Sequence, residues 1–75
     1  MGSKNELLKK IDDGYPKFSK GQKKLADYIR KAYDKAAFLT AAKMGEEVGV
    51  SESTVVRFAT ALGYEGYPEF QKALE

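Results

Sequence analysis

Breaker residues partition this chain before any other property does. Gly14 and Pro16, Gly49, Gly63, and Gly66 with Pro68 interrupt its 75 residues, and the segments between them space their apolar residues at helical intervals. No segment sustains the period-two alternation of a half-buried strand. The expected fold is therefore all-α, a small bundle of five short helices around one core. A chain of this length buries only roughly 60% of its unfolded surface and has no material for a second core.

The segment around Lys4 to Asp12 sets Leu7, Leu8 and Ile11 on one stripe and stops at Gly14, with Pro16 pushing Tyr15 toward an extended conformation. A short, frayed helix is expected there. Ser19 followed by Gln22 fits the capping box, in which the serine oxygen and the glutamine side chain satisfy free amides at a helix start. Leu25, Tyr28, Ile29, Ala32 and Tyr33 then form the stripe of a second helix, and Ala36 to Leu39 turns the chain. Thr40 caps a third helix to about Val48, with Met44 and Val48 inward, and Gly49 ends it. Ser51 caps a fourth, whose stripe is Val55, Phe58, Ala59 and Leu62 and whose stop is Gly63. Pro68 suits the first turn of a fifth. Its pattern of Phe70, Ala73 and Leu74 is still running at Glu75, as in a fragment of a longer protein.

Several chemistries are excluded by what the chain lacks. It has no cysteine and no histidine, which removes disulfides, thiolate nucleophiles, the usual zinc ligand sets and every histidine-based triad. No pair of carboxylates sits with a nucleophile, and Gly63-x-x-Gly66 has neither the lysine nor the preceding strand of a phosphate loop. Neither an enzyme nor a bound cofactor is expected. Apolar runs are far shorter than the ~20 residues that span a bilayer, and no signal peptide opens the chain, so a cytoplasmic protein with no membrane partner is expected. Thirteen basic and eleven acidic residues give a net charge of +2, unevenly distributed. Residues 4–35 carry a surplus of five positive charges, and residues 36–75 a deficit of three. A basic first half fits a footprint for nucleic acid, and equally the solvated lysines of ordinary helix faces.

Thr40 to Gly63 decides more. Two helices joined by a short turn that opens on glycine, the second one capped, form the helix-turn-helix arrangement, homeodomain-like in outline. Gly45 stands inside the first helix of the pair, where glycine costs roughly 1 kcal/mol relative to alanine, and a close approach of the crossed helices is the expected compensation. Val50 covers the small core from the turn. With the stripe of the second helix inward, Glu52, Ser53, Val56, Arg57 and Thr60 fall on its outer face. That face is suited to the major groove of duplex DNA: Val56 against a thymine methyl, Arg57 with two hydrogen bonds to guanine O6 and N7. Arg57 as an ordinary surface residue is the competing reading. For Glu52 a favourable charge in the first helical turn is preferred.

At these residues the sequence resembles a known family. "GVSESTVVRFATALGYEGYPEFQKAL" is similar to the N-terminal helix-turn-helix domain of RpiR-type bacterial transcriptional regulators, through the turn glycine, Ser51, Thr54, Val55, Arg57, Phe58, the Leu62-Gly63-Tyr64 end and the Gly66-Tyr67, Phe70 continuation. The likeness extends through "FSKGQKKLADYI", Phe18 to Ile29. Gly45 departs from it, because the family usually has alanine there. The resemblance implies that residues 1–75 are one DNA-binding domain, a dimer in the full-length protein, regulating genes of sugar-phosphate metabolism. It also implies that the phosphosugar effector binds a following sugar-isomerase-like domain outside these residues. The candidate DNA contacts are Ser51, Ser53, Thr54, Val56, Arg57 and Thr60, with Lys20, Lys23 and Lys24 and the amides near Ser19 and Ser51 as candidates for phosphate. A helical protein-protein interaction module is the alternative, favoured slightly by the acidic second half.

Overall fold

Nearly every local signal in the sequence starts or stops a helix in the structure. The computed structural model describes residues 3–75. It comprises α1 (Ser3–Gly14), one 3-10 turn (Tyr15–Lys17), α2 (Lys20–Lys31), α3 (Tyr33–Ala36), α4 (Ala41–Val48), α5 (Glu52–Ala61) and α6 (Tyr67–Leu74). The fold is all-α, and the described residues form six helices where five were expected.

The caps are made as the residue types dictate. The Ser19 hydroxyl accepts from the Gln22 amide, and the Gln22 side chain accepts from the Ser19 amide at 2.9 Å. Thr40 accepts from Lys43 N–H and Ser51 from Thr54 N–H. Gly49 and Gly63 take φ of +90° and +98°, the left-handed region that ends α4 and follows α5. Pro68 sits in the first turn of α6.

Three expectations need correction. The stripe from Leu25 to Tyr33 is not one helix: α2 ends at Lys31, Ala32 leaves helical geometry (φ −130°, ψ 53°), and Tyr33–Ala36 forms a helix of its own. Tertiary contacts account for the break. The Tyr33 hydroxyl donates to the Ala73 carbonyl on α6 at 3.3 Å, and Ala36 is fully buried, which redirects the chain against its local preference. Tyr15 is not extended either. Phe18 N–H donates to the Tyr15 carbonyl at 3.1 Å, closing a 3-10 turn whose φ requirement Pro16 meets. Nor is α1 short: it runs for 12 residues, Leu7 and Ile11 are wholly buried, and the helix packs on α6.

The core runs through all of these elements. Leu7, Ile11, Leu25, Ile29, Met44, Val55, Phe58 and Phe70 are its largest fully buried side chains, with Val48 and Val50 half-buried at its margin. Phe58 lies at its centre: Phe18 meets it edge-on at 5.2 Å on one side and Phe70 at 6.0 Å on the other. The inward face of α5 is thereby fixed, and so is its outward face.

Candidate nucleic-acid interface

Three residues, Gly49 to Ser51, join α4 to α5, and backbone contacts latch the turn to α4. Gly49 N–H and Val50 N–H both donate to the Gly45 carbonyl, at 2.7 and 2.9 Å. The reason for a glycine inside α4 is visible here: a Cβ on Gly45 would lie 2.6 Å from the Val50 carbonyl oxygen and 3.4 Å from Glu52 N. The close approach expected at position 45 is therefore present, made by the turn and the first residue of α5. Alanine at this position would not fit without displacing the turn.

On α5, Val55, Phe58 and Ala59 are buried, and Glu52, Ser53, Val56, Arg57 and Thr60 are exposed. Glu52, Ser53, Val56 and Arg57 line one shallow hollow on that outer face. Val56, 37% exposed, is one of two large apolar side chains given to solvent among the described residues. Arg57 has no ion pair or hydrogen bond among them, so its guanidinium is not held by the fold.

The hydroxyls divide differently. Ser51 and Thr54 share a hydrogen bond at 2.9 Å while Ser51 caps the helix, and Thr60 donates to the Val56 carbonyl at 3.2 Å. Ser53 has no such partner. Thr54 is also half-buried: a Cβ on Gly21 of α2 would lie 3.4 Å from its methyl and 3.5 Å from a Val50 methyl. The start of α2 thus lies against the turn at Gly21, with room for a methyl group there. Sequence reasoning missed it, although a glycine inside a capped helix was the available signal.

The three lysines are not brought together. Lys20, beside Gly21, is exposed and has no ion pair among the described residues. Lys24 flanks a hollow with Asp27, Tyr28, Lys31, Glu47 and Val48, on the side of α2 facing the end of α4. Lys23 turns the other way and places its Nζ 5.5 Å from the centre of the Tyr15 ring. Arg30 covers the same ring at 4.7 Å and pairs with Asp12 at 2.7 Å. The Tyr15 hydroxyl donates to Asp27, which raises its pKa from the usual tyrosine value.

A helical domain in which a capped helix follows a glycine turn and presents this outer face is a helix-turn-helix domain. The chain belongs to the rpiR family of these domains, whose family model matches residues 5–75. It is 43% identical over 70 residues to the uncharacterized HTH-type transcriptional regulator YfhH of Escherichia coli K12, a match covering 93% of this chain and 24% of that protein. It is 31% identical over 74 residues to an uncharacterized HTH-type transcriptional regulator of Haemophilus influenzae, covering 99% of this chain and 26% of that one. The chain spans about a quarter of the length of these relatives. No solved structure gives a significant match. No helix among the described residues is long and apolar enough to cross a membrane.

Proposed function

We propose that this domain binds duplex DNA sequence-specifically by laying the outer face of α5 in the major groove, as the non-enzymatic DNA-reading part of a cytoplasmic bacterial regulator of sugar-phosphate genes. The observation that carries this reading is Arg57, exposed and unpaired among the described residues on the same hollow as Ser53 and Val56. An arginine free of internal partners retains the donors that match guanine O6 and N7, and Val56 supplies an apolar contact for a thymine methyl. Ser51, Thr54 and Thr60 support the site: their hydroxyls fix the start and geometry of α5, and the Ser51 region offers helix amides to a phosphate. Lys20, next to the Gly21 contact with Thr54, and Lys24, beside the end of α4, supply phosphate contacts, with Lys23 held at Tyr15 as a lesser contributor.

One helix of ten residues reads only a few base pairs, so tight binding requires two copies on half-sites about one DNA turn apart or a multiple of it. The homodimer and the phosphosugar effector are assigned to regions of the regulator outside these residues. Tethering two copies would raise affinity by a factor of ~10² or more with no new contact.

The test is site selection from random duplexes, then titration of the selected site with Arg57→Ala. The variant is expected to lose about 1 to 3 kcal/mol of specific binding while its circular dichroism is unchanged. Unaltered site preference and affinity would refute the role of Arg57. One observation favours a second reading, a protein-interaction module: Phe38 is 86% exposed, beside Leu74 and Glu75. Binding that weakens steeply with salt on DNA identifies the first reading; salt-insensitive binding to a protein, with none to DNA, identifies the second.

A further inference from the structure

We infer that Glu52 is a specificity residue, selecting the exocyclic amine of cytosine at one position of the operator half-site and rejecting other bases there. The inference rests on the reading of α5 as a major-groove helix.

Glu52 is the first residue of α5 and is exposed. Its carboxylate has no hydrogen bond or ion pair among the described residues, and it is not needed as a cap, because Ser51 already accepts from the Thr54 amide. It lines the same hollow as Ser53, Val56 and Arg57, which places its carboxylate on the face that Arg57 presents. A favourable charge at the helix start accounts for an acid in this turn but does not require one on the reading face.

A carboxylate has only acceptor lone pairs. The major groove shows it mostly acceptors: guanine N7 and O6, adenine N7, thymine O4, and anionic phosphates on both sides. Each of these repels it. Only cytosine N4 and adenine N6 donate. Adenine sets its N7 acceptor beside the amine, whereas cytosine has no acceptor on that edge, which favours cytosine. Arg57, carrying only donors, has the reverse preference and selects guanine. Two side chains of opposite character on one hollow therefore discriminate where an arginine alone would mainly attract.

Selection from random duplexes with the wild type, Glu52→Ala and Glu52→Gln tests this, followed by affinities on the selected duplex, on its three single-base variants at the responsive position, and on an unrelated duplex. The wild type should enrich cytosine at one position with discrimination of about fivefold or more, corresponding to the lower range for a base contact. Glu52→Ala should lose that preference and bind unrelated DNA several-fold more tightly, since an anion has left the interface. Glu52→Gln should move the preference toward adenine, which its amide can contact twice. A purely structural Glu52 would change melting temperature and leave base preference alone, which would overturn the inference. Wild-type enrichment of adenine would overturn the cytosine assignment. If Arg57→Ala alters selection and Glu52→Ala does not, only the Glu52 inference fails. If the wild type selects nothing, the major-groove reading fails with it.

Discussion

Gly45→Ala and Gly21→Ala are the same substitution in two helices, and the structure predicts opposite signs. In isolation each should stabilise its helix: alanine is favoured over glycine by roughly 1 kcal/mol in a helix interior such as position 45, and by less at Gly21, the second residue of α2. At position 21 nothing opposes the gain: the added methyl would meet Thr54 and Val50 methyl groups at 3.4 and 3.5 Å, ordinary contact. At position 45 the methyl would lie 2.6 Å from the Val50 carbonyl oxygen, well inside contact distance. That oxygen belongs to backbone that cannot yield cheaply, since Gly49 and Val50 both donate to the Gly45 carbonyl and Ser51 begins the next helix. Overpacking of this kind costs about 1 to 3 kcal/mol, and a rigid backbone neighbour places it at the upper end. After the propensity gain, a net loss of about 1 to 2 kcal/mol is expected for Gly45→Ala. At about 4 to 8 °C per kcal/mol for a domain of this size, its melting temperature should fall by roughly 5 to 15 °C. Gly21→Ala should hold or rise. Thermal denaturation followed by circular dichroism decides the matter. A Gly45→Ala variant melting at or above the wild-type temperature would refute the claim that the turn, and not helix propensity, fixes this residue.

Ser51→Ala removes the cap of α5 and frees the Thr54 hydroxyl, and should cost about 0.5 to 2 kcal/mol in chemical denaturation. Lys20→Gln and Lys24→Gln should each flatten the salt dependence of DNA affinity by about 0.9 in log–log slope, and Lys23→Gln by much less; equal effects from all three would show that Lys23 leaves Tyr15 on binding. The Tyr67 hydroxyl, which donates to the Leu39 carbonyl, is pushed up to about 12 by burial. Because the folded state binds this proton more tightly than the unfolded chain, whose value is near 10.0, its contribution to stability is intact below pH 10 and is lost between pH 10 and 12. Tyr67→Phe should lessen that alkaline loss, leaving the part due to Tyr15 and Tyr33, which are raised too; an unchanged pH profile of melting would count against it.

Legibility in the sequence followed locality. Ser19 with Gln22, Thr40, Ser51, Gly49 and Gly63 act on amides or dihedrals within four residues, and each could be read without knowing the fold. The break at Ala32 could not. Leu25 through Tyr33 keeps perfect helical spacing, and the contacts that accompany its interruption are tertiary: the burial of Ala36 and a hydrogen bond from Tyr33 to Ala73, 40 residues away. Tyr15 shows the same limit at shorter range, since the preference imposed by Pro16 gave way to a turn closed by Phe18, itself anchored on Phe58.

The outer face of α5, the proposed reading face, was legible for a different reason. Four apolar positions at helical spacing fix the phase of α5, so the outward direction of Arg57, Val56 and Ser53 follows by geometry alone. The duties of individual side chains do not all follow, because a hydroxyl that serves the cap and a hydroxyl left free for a ligand belong to the same residue types; Thr54 became distinguishable from Ser53 only through its bond to Ser51. The lysines failed similarly. All lie off the buried stripe of α2, yet Lys23 and Lys24 point about 100° apart, and an aromatic ring from outside the helix captures only one of them. The consequence bears on mechanism. Residues 36–75 carry a negative balance, so on the proposed reading α5 adds little unspecific attraction to DNA, and Lys20 and Lys24 across the Gly21 contact must supply it. Attraction and discrimination then reside on different helices, joined where Gly21 meets Thr54. On the proposed reading, a domain divided in this way should dissociate readily from wrong sequences, because α5 has only one cation, Arg57, with which to hold on.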